Sequence, residues 1–315
     1  MQNQPFKNSL KNLLLKSITL MCVVVSSCKT KQTTATETVE NNYIPYYLKV
    51  YEADSLFLTD NYQKSYEILD SLFQKFEPVN MQNFNEFGIY IASSTMIGKT
   101  DNLDANIRKA ILEYGGIGFS HPNSSVIYTK ISELTSVSKE ERSQLYKDYK
   151  KKFDSELHEK LIPMYVEDQA ARQPELNMDQ MNILQKKHKK EIKDIIKRYG
   201  YPGYHCLSSS AVTPEGIPVD FTILFVHQKS SFKRKYVDML HDGLLKGEIF
   251  PNEYAMIMDK IYLEEQGKSL YGYITHYPLL NPHKIDSIRK SIGLPKLGYE
   301  MWAFNTVFPN LSDKN

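Results

Sequence analysis

Cysteine is scarce: residues 22, 28 and 206 are the only three in 315. That number allows no disulfide framework and no cysteine-built metal site. Charge of one sign is also lacking. Lys plus Arg numbers 39 against 37 Asp plus Glu, without the clustered basic excess that a nucleic-acid partner requires, so none is expected. The basic run Lys186–Lys190 is broken by His188 and followed by Glu191 and Asp194, which reads as a solvated helix face. There is no glycine-rich phosphate loop, no HExxH and no GxSxG nucleophile elbow. Gly115-Gly116-Ile117-Gly118 lacks the preceding strand that a dinucleotide site needs. Histidines 205, 227, 241, 276 and 283 are scattered without metal-ligand spacing. Neither a metal nor another cofactor is expected.

What is present begins at the N-terminus. Lys7, Lys11 and Lys16 supply positive charge, and the first acidic residue is Glu37. An apolar core, Ile18–Val25, follows, extended upstream by Leu13, Leu14 and Leu15. With Lys16 inside it, this run is far short of the ~20 apolar residues of a spanning helix. Val25-Ser26-Ser27-Cys28 then resembles the lipobox read by the bacterial lipoprotein peptidase. The resemblance implies that residues 1–27 are a lipoprotein signal peptide and that Cys28 is lipidated. Each buried methylene contributes about 0.8 kcal/mol, and stable anchoring takes more than one chain, as lipoprotein maturation provides. The expected partner is therefore a membrane, reached through the lipid on Cys28. Residues 28–44 serve as lipidated cysteine and tether; between 29 and 42 only Ala35 and Val39 are apolar, too few to support a core. Lys29-Thr30-Lys31-Gln32 is not an acidic export cluster, so the expected location is the bacterial envelope, facing the periplasm. Cleavage would leave Cys206 as the one mature thiol, which reads as structural.

Beyond the tether the expected class is mainly α, with helical hairpins packed beside a mostly helical domain that holds a short β element. Tyr62, Tyr66, Leu69, Phe73 and Phe76 recur at four and three residues, tracing one helix face, and Tyr47–Leu58 forms its partner. A second pair runs through Phe84, Phe87 and Ile91, then Leu103, Ile107, Ala110, Ile111 and Tyr114, and stops at Gly115-Gly116. Asp60–Tyr66 with Pro78 resembles the second half of a tetratricopeptide repeat, although the tryptophan and Leu-Gly pair of the consensus first helix are missing. Such hairpins usually stack into an interaction surface, so a protein or peptide partner is expected there; a generic helical layer is the other reading. The chain around His121–Ser138 looks irregular. Ser138 and Glu141 then make a capping box, which sets the boundary between a helical-hairpin region, 45–137, and a C-terminal region, 138–309, before a tail, 310–315. In the latter, a helix is expected at about Met178–Tyr199, capped by Gly200, and another from Pro251 to about Glu265. The apolar run Val219–Val226 must be buried. Leu270–Tyr277 predicts a short strand.

Polar residues stand out where the pattern wants apolar ones. Asp168 and Arg172 are four apart and share a helix face, with Gln169 beside them. They form an intrahelical ion pair, or a carboxylate held by arginine for a ligand. His227 ends the run Phe221–Val226, where an imidazole is either structural or a base. Asp259 lies in a helix apolar nearly all round; a buried carboxylate needs a partner, and Arg172 or His227 would supply one.

Asp168-Gln169-x-x-Arg172, Tyr199-Gly200-Tyr201-Pro202, His227, Tyr254-Ala255 with Asp259, Gly267, Tyr271-Gly272 and Gly293-Leu294-Pro295 follow in an order that resembles the bacterial domain of unknown function 6624 family over residues 145–300. Lys260 stands where that family usually has Arg, and Ser269, Leu270, Tyr273 and Ile274 stand where glutamines are expected around the Tyr-Gly pair. The resemblance implies no activity. Two functions follow from the residues. One is a ligand- or protein-binding module, with Gln169, Arg172 and Tyr271 touching ligand. The other is a hydrolase or transferase, with His227 as general base oriented by the carboxylates Asp168 or Asp259.

Overall fold

Local capping chemistry sets several of the helix boundaries. The computed structural model describes residues 42–81, 84–172, 176–207, 216 and 218–309. The signal segment, Cys28, most of the tether and the 310–315 tail lie outside the described residues. Helix α1 (Ile44–Leu58) opens on Pro45, whose missing N–H costs nothing in a first turn. Asp60, at φ 60°, makes the turn into α2 (Tyr62–Phe73), and Asn61 caps it by accepting from the Lys64 amide. Helices α3 (Glu86–Met96) and α4 (Leu103–Tyr114) follow, the latter ended by Gly115 in the left-handed region. Successive helices pack on one another: α1 on α2, α2 on α3, and α3 on α4.

The irregular stretch expected around His121–Ser138 instead contains a helix, α5 (Ser124–Leu134). Only Ile127 and Ile131 of it are buried, so its apolar stripe is one turn long and too brief for periodicity to reveal. Ser138 caps α6 (Lys139–Lys150) by accepting from the Glu141 amide, and α6 packs on α4.

The C-terminal part is built from α7 (Ser155–Ala170), α8 (Met178–Tyr199), the single turn α9 (Tyr204–Leu207), α10 (Phe221–Val226), α11 (Ser230–Lys233), α12 (Val237–Lys246), α13 (Pro251–Gln266), α14 (Ile285–Lys290) and α15 (Tyr299–Val307). The class is mainly α, and among the described residues no helix is long and apolar enough to cross a membrane. In α8, Leu184, Ile192 and Ile195 face inward while Lys186, Lys187, Lys189 and Lys190 are exposed. The run through α10 is buried, as its composition demands.

One hydrophobic core joins the early helices to the late ones. The Tyr47 hydroxyl of α1 donates toward the carbonyls of Leu244 (2.9 Å) and Ile249 (3.2 Å). Its ring packs so closely on Gly293 that a Cβ there would stand 2.7 Å from it. Glu86 ties α1 to α3 without solvent: it accepts from the Tyr46 hydroxyl (2.6 Å) and the Met81 amide (2.7 Å).

The expected strand at Leu270–Tyr277 is not formed. Its region shows one isolated bridge, Ser269 to Leu279, and no strand exists among the described residues. The amides that would have made a ladder are spent on a carboxylate.

Candidate functional site

That carboxylate is Asp259. It sits in the middle of α13, fully buried. Four donors reach it from the next loop: the Ser269 hydroxyl (2.5 Å) and the amides of Tyr271 (2.7 Å), Tyr273 (2.8 Å) and Ile274 (3.3 Å). Ser269 Oγ in turn accepts from the Gly272 amide, and Gly272 takes φ 67° at the turn. Arg289, itself buried, closes the far side by donating to the carbonyls of Tyr271 (3.0 Å) and Pro295 (2.7 Å). The expected pairing of Asp259 with Arg172 or His227 is therefore wrong. Its lone pairs are taken by backbone amides and one hydroxyl, and none faces solvent. Tyr271, expected to touch ligand, is buried in the same loop against the Tyr254 ring, and burial pushes its hydroxyl up.

The other polar residues do converge. Helix α7 is capped by Asp154 and packs on both α8 and α10. Asp168 lies in its last turn and Arg172 one turn later. The arginine forks onto the carboxylate, Nη2 to Oδ1 and Nε to Oδ2, both at 3.1 Å. Gln169 Nε2 donates to Oδ2 at 3.0 Å. From the end of α10, 59 residues further along, His227 brings Nδ1 to 2.7 Å from the same oxygen. The Asp168 side chain is 7% exposed, those of His227 and Arg172 20% and 21%. A buried carboxylate thus backs two groups that reach the surface.

This geometry sets the protonation pattern. Burial acts to raise the Asp168 carboxyl, but hydrogen bonds and charge from His227 and Arg172 outweigh it and hold the group below the usual carboxylate range. An ionised carboxylate only accepts, so the proton at the 2.7 Å contact belongs to Nδ1. In the neutral imidazole Nε2 is then left as the acceptor, and among the described residues no side chain bonds to it. The backbone around His227 is braced. Its carbonyl accepts from Gln185 Nε2 (2.6 Å), and the Val226 carbonyl accepts from Lys233 Nζ (2.9 Å). Burial lowers Lys233 to about 8. No group of three or more His, Cys, Asp or Glu side chains suited to a metal occurs among the described residues.

Periodicity did not single out a further buried network. Asp220 caps α10 through the Thr222 amide (2.7 Å), Tyr201 donates to Thr222 Oγ1 (2.8 Å), and that hydroxyl donates to Glu253 (3.2 Å). Glu253 also accepts from the Phe250 amide at the start of α13 (2.9 Å). The Pro251-Asn252-Glu253 helix start carried a local sign of this, since an acid at the third position commonly folds back on the cap.

Comparison with family models, with curated proteins and with solved structures finds no match to this chain.

Two outcomes test these assignments. Asp259→Asn keeps the shape but puts a donor among four donors, so it should lower unfolding free energy by roughly 3 kcal/mol or more. A urea midpoint like that of the wild type would refute the anchoring role. Glu253 reports through pH. Burial, then the charge of Asp220, push it up to about 8 from an ordinary 4.5. Between those values the folded chain keeps a proton that the unfolded chain has released. The stability it contributes is full below about pH 4.5 and is lost as pH rises toward 8. Glu253→Gln cannot titrate, so its stability relative to wild type should climb by roughly 3 kcal/mol from pH 5 to pH 7.5. Parallel unfolding curves with a constant offset at both pH values would contradict the raised carboxyl.

Proposed function

We propose that Asp168, Arg172 and His227 form a general-base site of hydrolase or transferase type acting on an anionic substrate. The observation that carries the reading is the 2.7 Å contact between Asp168 Oδ2 and His227 Nδ1. It orients the ring and leaves Nε2 toward solvent as the proton acceptor. In a hydrolytic cycle Nε2 would take a proton from water as the water oxygen attacks the substrate, then return it to the leaving group. The guanidinium of Arg172, partly exposed beside the histidine, offers its remaining donors to a carboxylate or phosphate. Gln169 stays behind Asp168 as a positioning residue.

Recognition without turnover is the second reading. It is favoured because no serine, threonine or cysteine bonds to Nε2 among the described residues. In that case the same cluster holds an anion, and the packed helices α1 to α6 offer a surface to a protein or peptide. Under either reading the N-terminal pattern supports an envelope lipoprotein anchored through Cys28. The resemblance to the domain of unknown function 6624 family is compatible with both, since it implies no activity.

The site is tested with p-nitrophenyl acetate and p-nitrophenyl phosphate as chromogenic probes. His227→Ala and Asp168→Asn should each lower turnover about 100-fold or more. His227→Ala should keep its unfolding midpoint, whereas Asp168→Asn sets a donor among the donors from Gln169, Arg172 and His227 and should lower it. Turnover unaffected by both substitutions would sink the general-base reading. If neither probe is turned over, a thermal shift with inorganic phosphate that disappears in Arg172→Ala would establish the recognition reading instead. The anchor has its own check: labelled palmitate should enter the wild type and not Cys28→Ser, which should keep its first 27 residues. Equal labelling of both would disprove lipidation at that cysteine.

A further inference from the structure

A cavity of about 370 Å³ opens between α1 and α15, a size typical of small-molecule sites. It shares no residue with the Asp168 cluster. Its walls are mostly apolar, and the rings of Tyr51, Phe84, Tyr273, Phe304 and Phe308 are among them. Phe304 and Phe308 are 45% and 46% exposed, so the mouth is an open apolar rim. Asp54 stands among these rings although its residue is only 6% exposed.

Asp54 has no counter-charge among the described residues. Its Oδ2 accepts from the Tyr299 hydroxyl (2.6 Å), and Oδ1 has no protein donor among the described residues. The other acid of the cavity, Glu300, is already neutralised by Arg289 (2.7 Å). Each nitrogen of that guanidinium is engaged, with Glu300 or with the carbonyls of Tyr271 and Pro295. Burial pushes Asp54 up to about 6, with the Tyr299 hydrogen bond acting against it. A carboxylate this deep is costly unless something pairs with it.

We infer that this cavity is a binding site for a small organic ammonium ion with an apolar body. Asp54 would receive the ammonium hydrogen bond, and the faces of Tyr51, Phe84 and Tyr273 would surround the cation. Phe304 and Phe308 would cover the apolar portion. Anionic molecules are repelled by the Asp54 carboxylate, which Arg289 does not reach. Neutral molecules of the same shape fill the cavity without meeting Asp54.

Isothermal titration of the purified full chain tests this with phenethylamine, 2-phenylethanol and 3-phenylpropanoate. The amine should bind at least ten-fold more tightly than the alcohol, and the acid should not bind. Asp54→Asn should reduce the amine to the level of the alcohol. Ala303→Leu fills the cavity from α15 without touching Asp54 and should weaken amine and alcohol alike. It decides the matter if the Asp54 variant fails to fold. The inference is overturned if the amine does not bind, binds no better than the alcohol, or survives either substitution undiminished.

Discussion

The Asp259 carboxylate takes the hydrogen bonds that a strand would otherwise have made. Removing a carboxylate from water is expensive, and in this protein the compensation comes from one hydroxyl and three backbone amides of a single loop. The cost is met only while that loop keeps its shape. Loop and helix therefore order each other. The consequence spreads: the Tyr271 carbonyl, turned away from Asp259, receives Arg289, which also reaches Pro295 and Glu300. In this way α13, α14 and α15 are joined through one chain of polar contacts. The same chain places Tyr273 and Glu300 on the wall of the cavity beside Asp54.

Asp168 shows the other use of a buried carboxylate. Its partners are side chains, two of them ionisable, and two of them reach solvent. Backbone amides cannot move a proton, whereas an imidazole can. The difference between an anchor and the proposed chemical site thus lies in the donors rather than in the acid. Rigid surroundings matter equally. Asp220 caps the start of α10 and Lys233 holds the carbonyl at its end, so the histidine leaves the helix in a fixed direction.

Much of the helical layout is legible along the chain. The four-three spacing from Tyr62, the serine cap at Ser138, Pro251 at a first turn and Gly200 after the last periodic residue each reflect interactions within one or two turns. Asp54 was not singled out, although its signal was there: Tyr47, Val50, Tyr51 and Leu58 lie three or four residues apart on its helix face, which places a carboxylate on an apolar stripe that the structure buries. Helix α5 was hidden because two isoleucines make too short a stripe. The strand expected at Leu270–Tyr277 rested on residue preference, and preference yields when a nearby carboxylate competes for the same amides.

Pattern alone determined that the described chain is mainly helical, and that Asp168, Arg172, His227 and Asp259 are polar groups in unusual settings. Those properties depend on neighbours three or four residues away, and helix geometry converts them directly into faces and caps. Only the tertiary structure decided which of these groups meet. His227 reaches Asp168 across 59 positions, while Asp259 turns to a loop ten to fifteen residues ahead. Periodicity specifies the direction in which a side chain leaves its helix. It says nothing about which segment packs there, because that choice is made by the whole core at once.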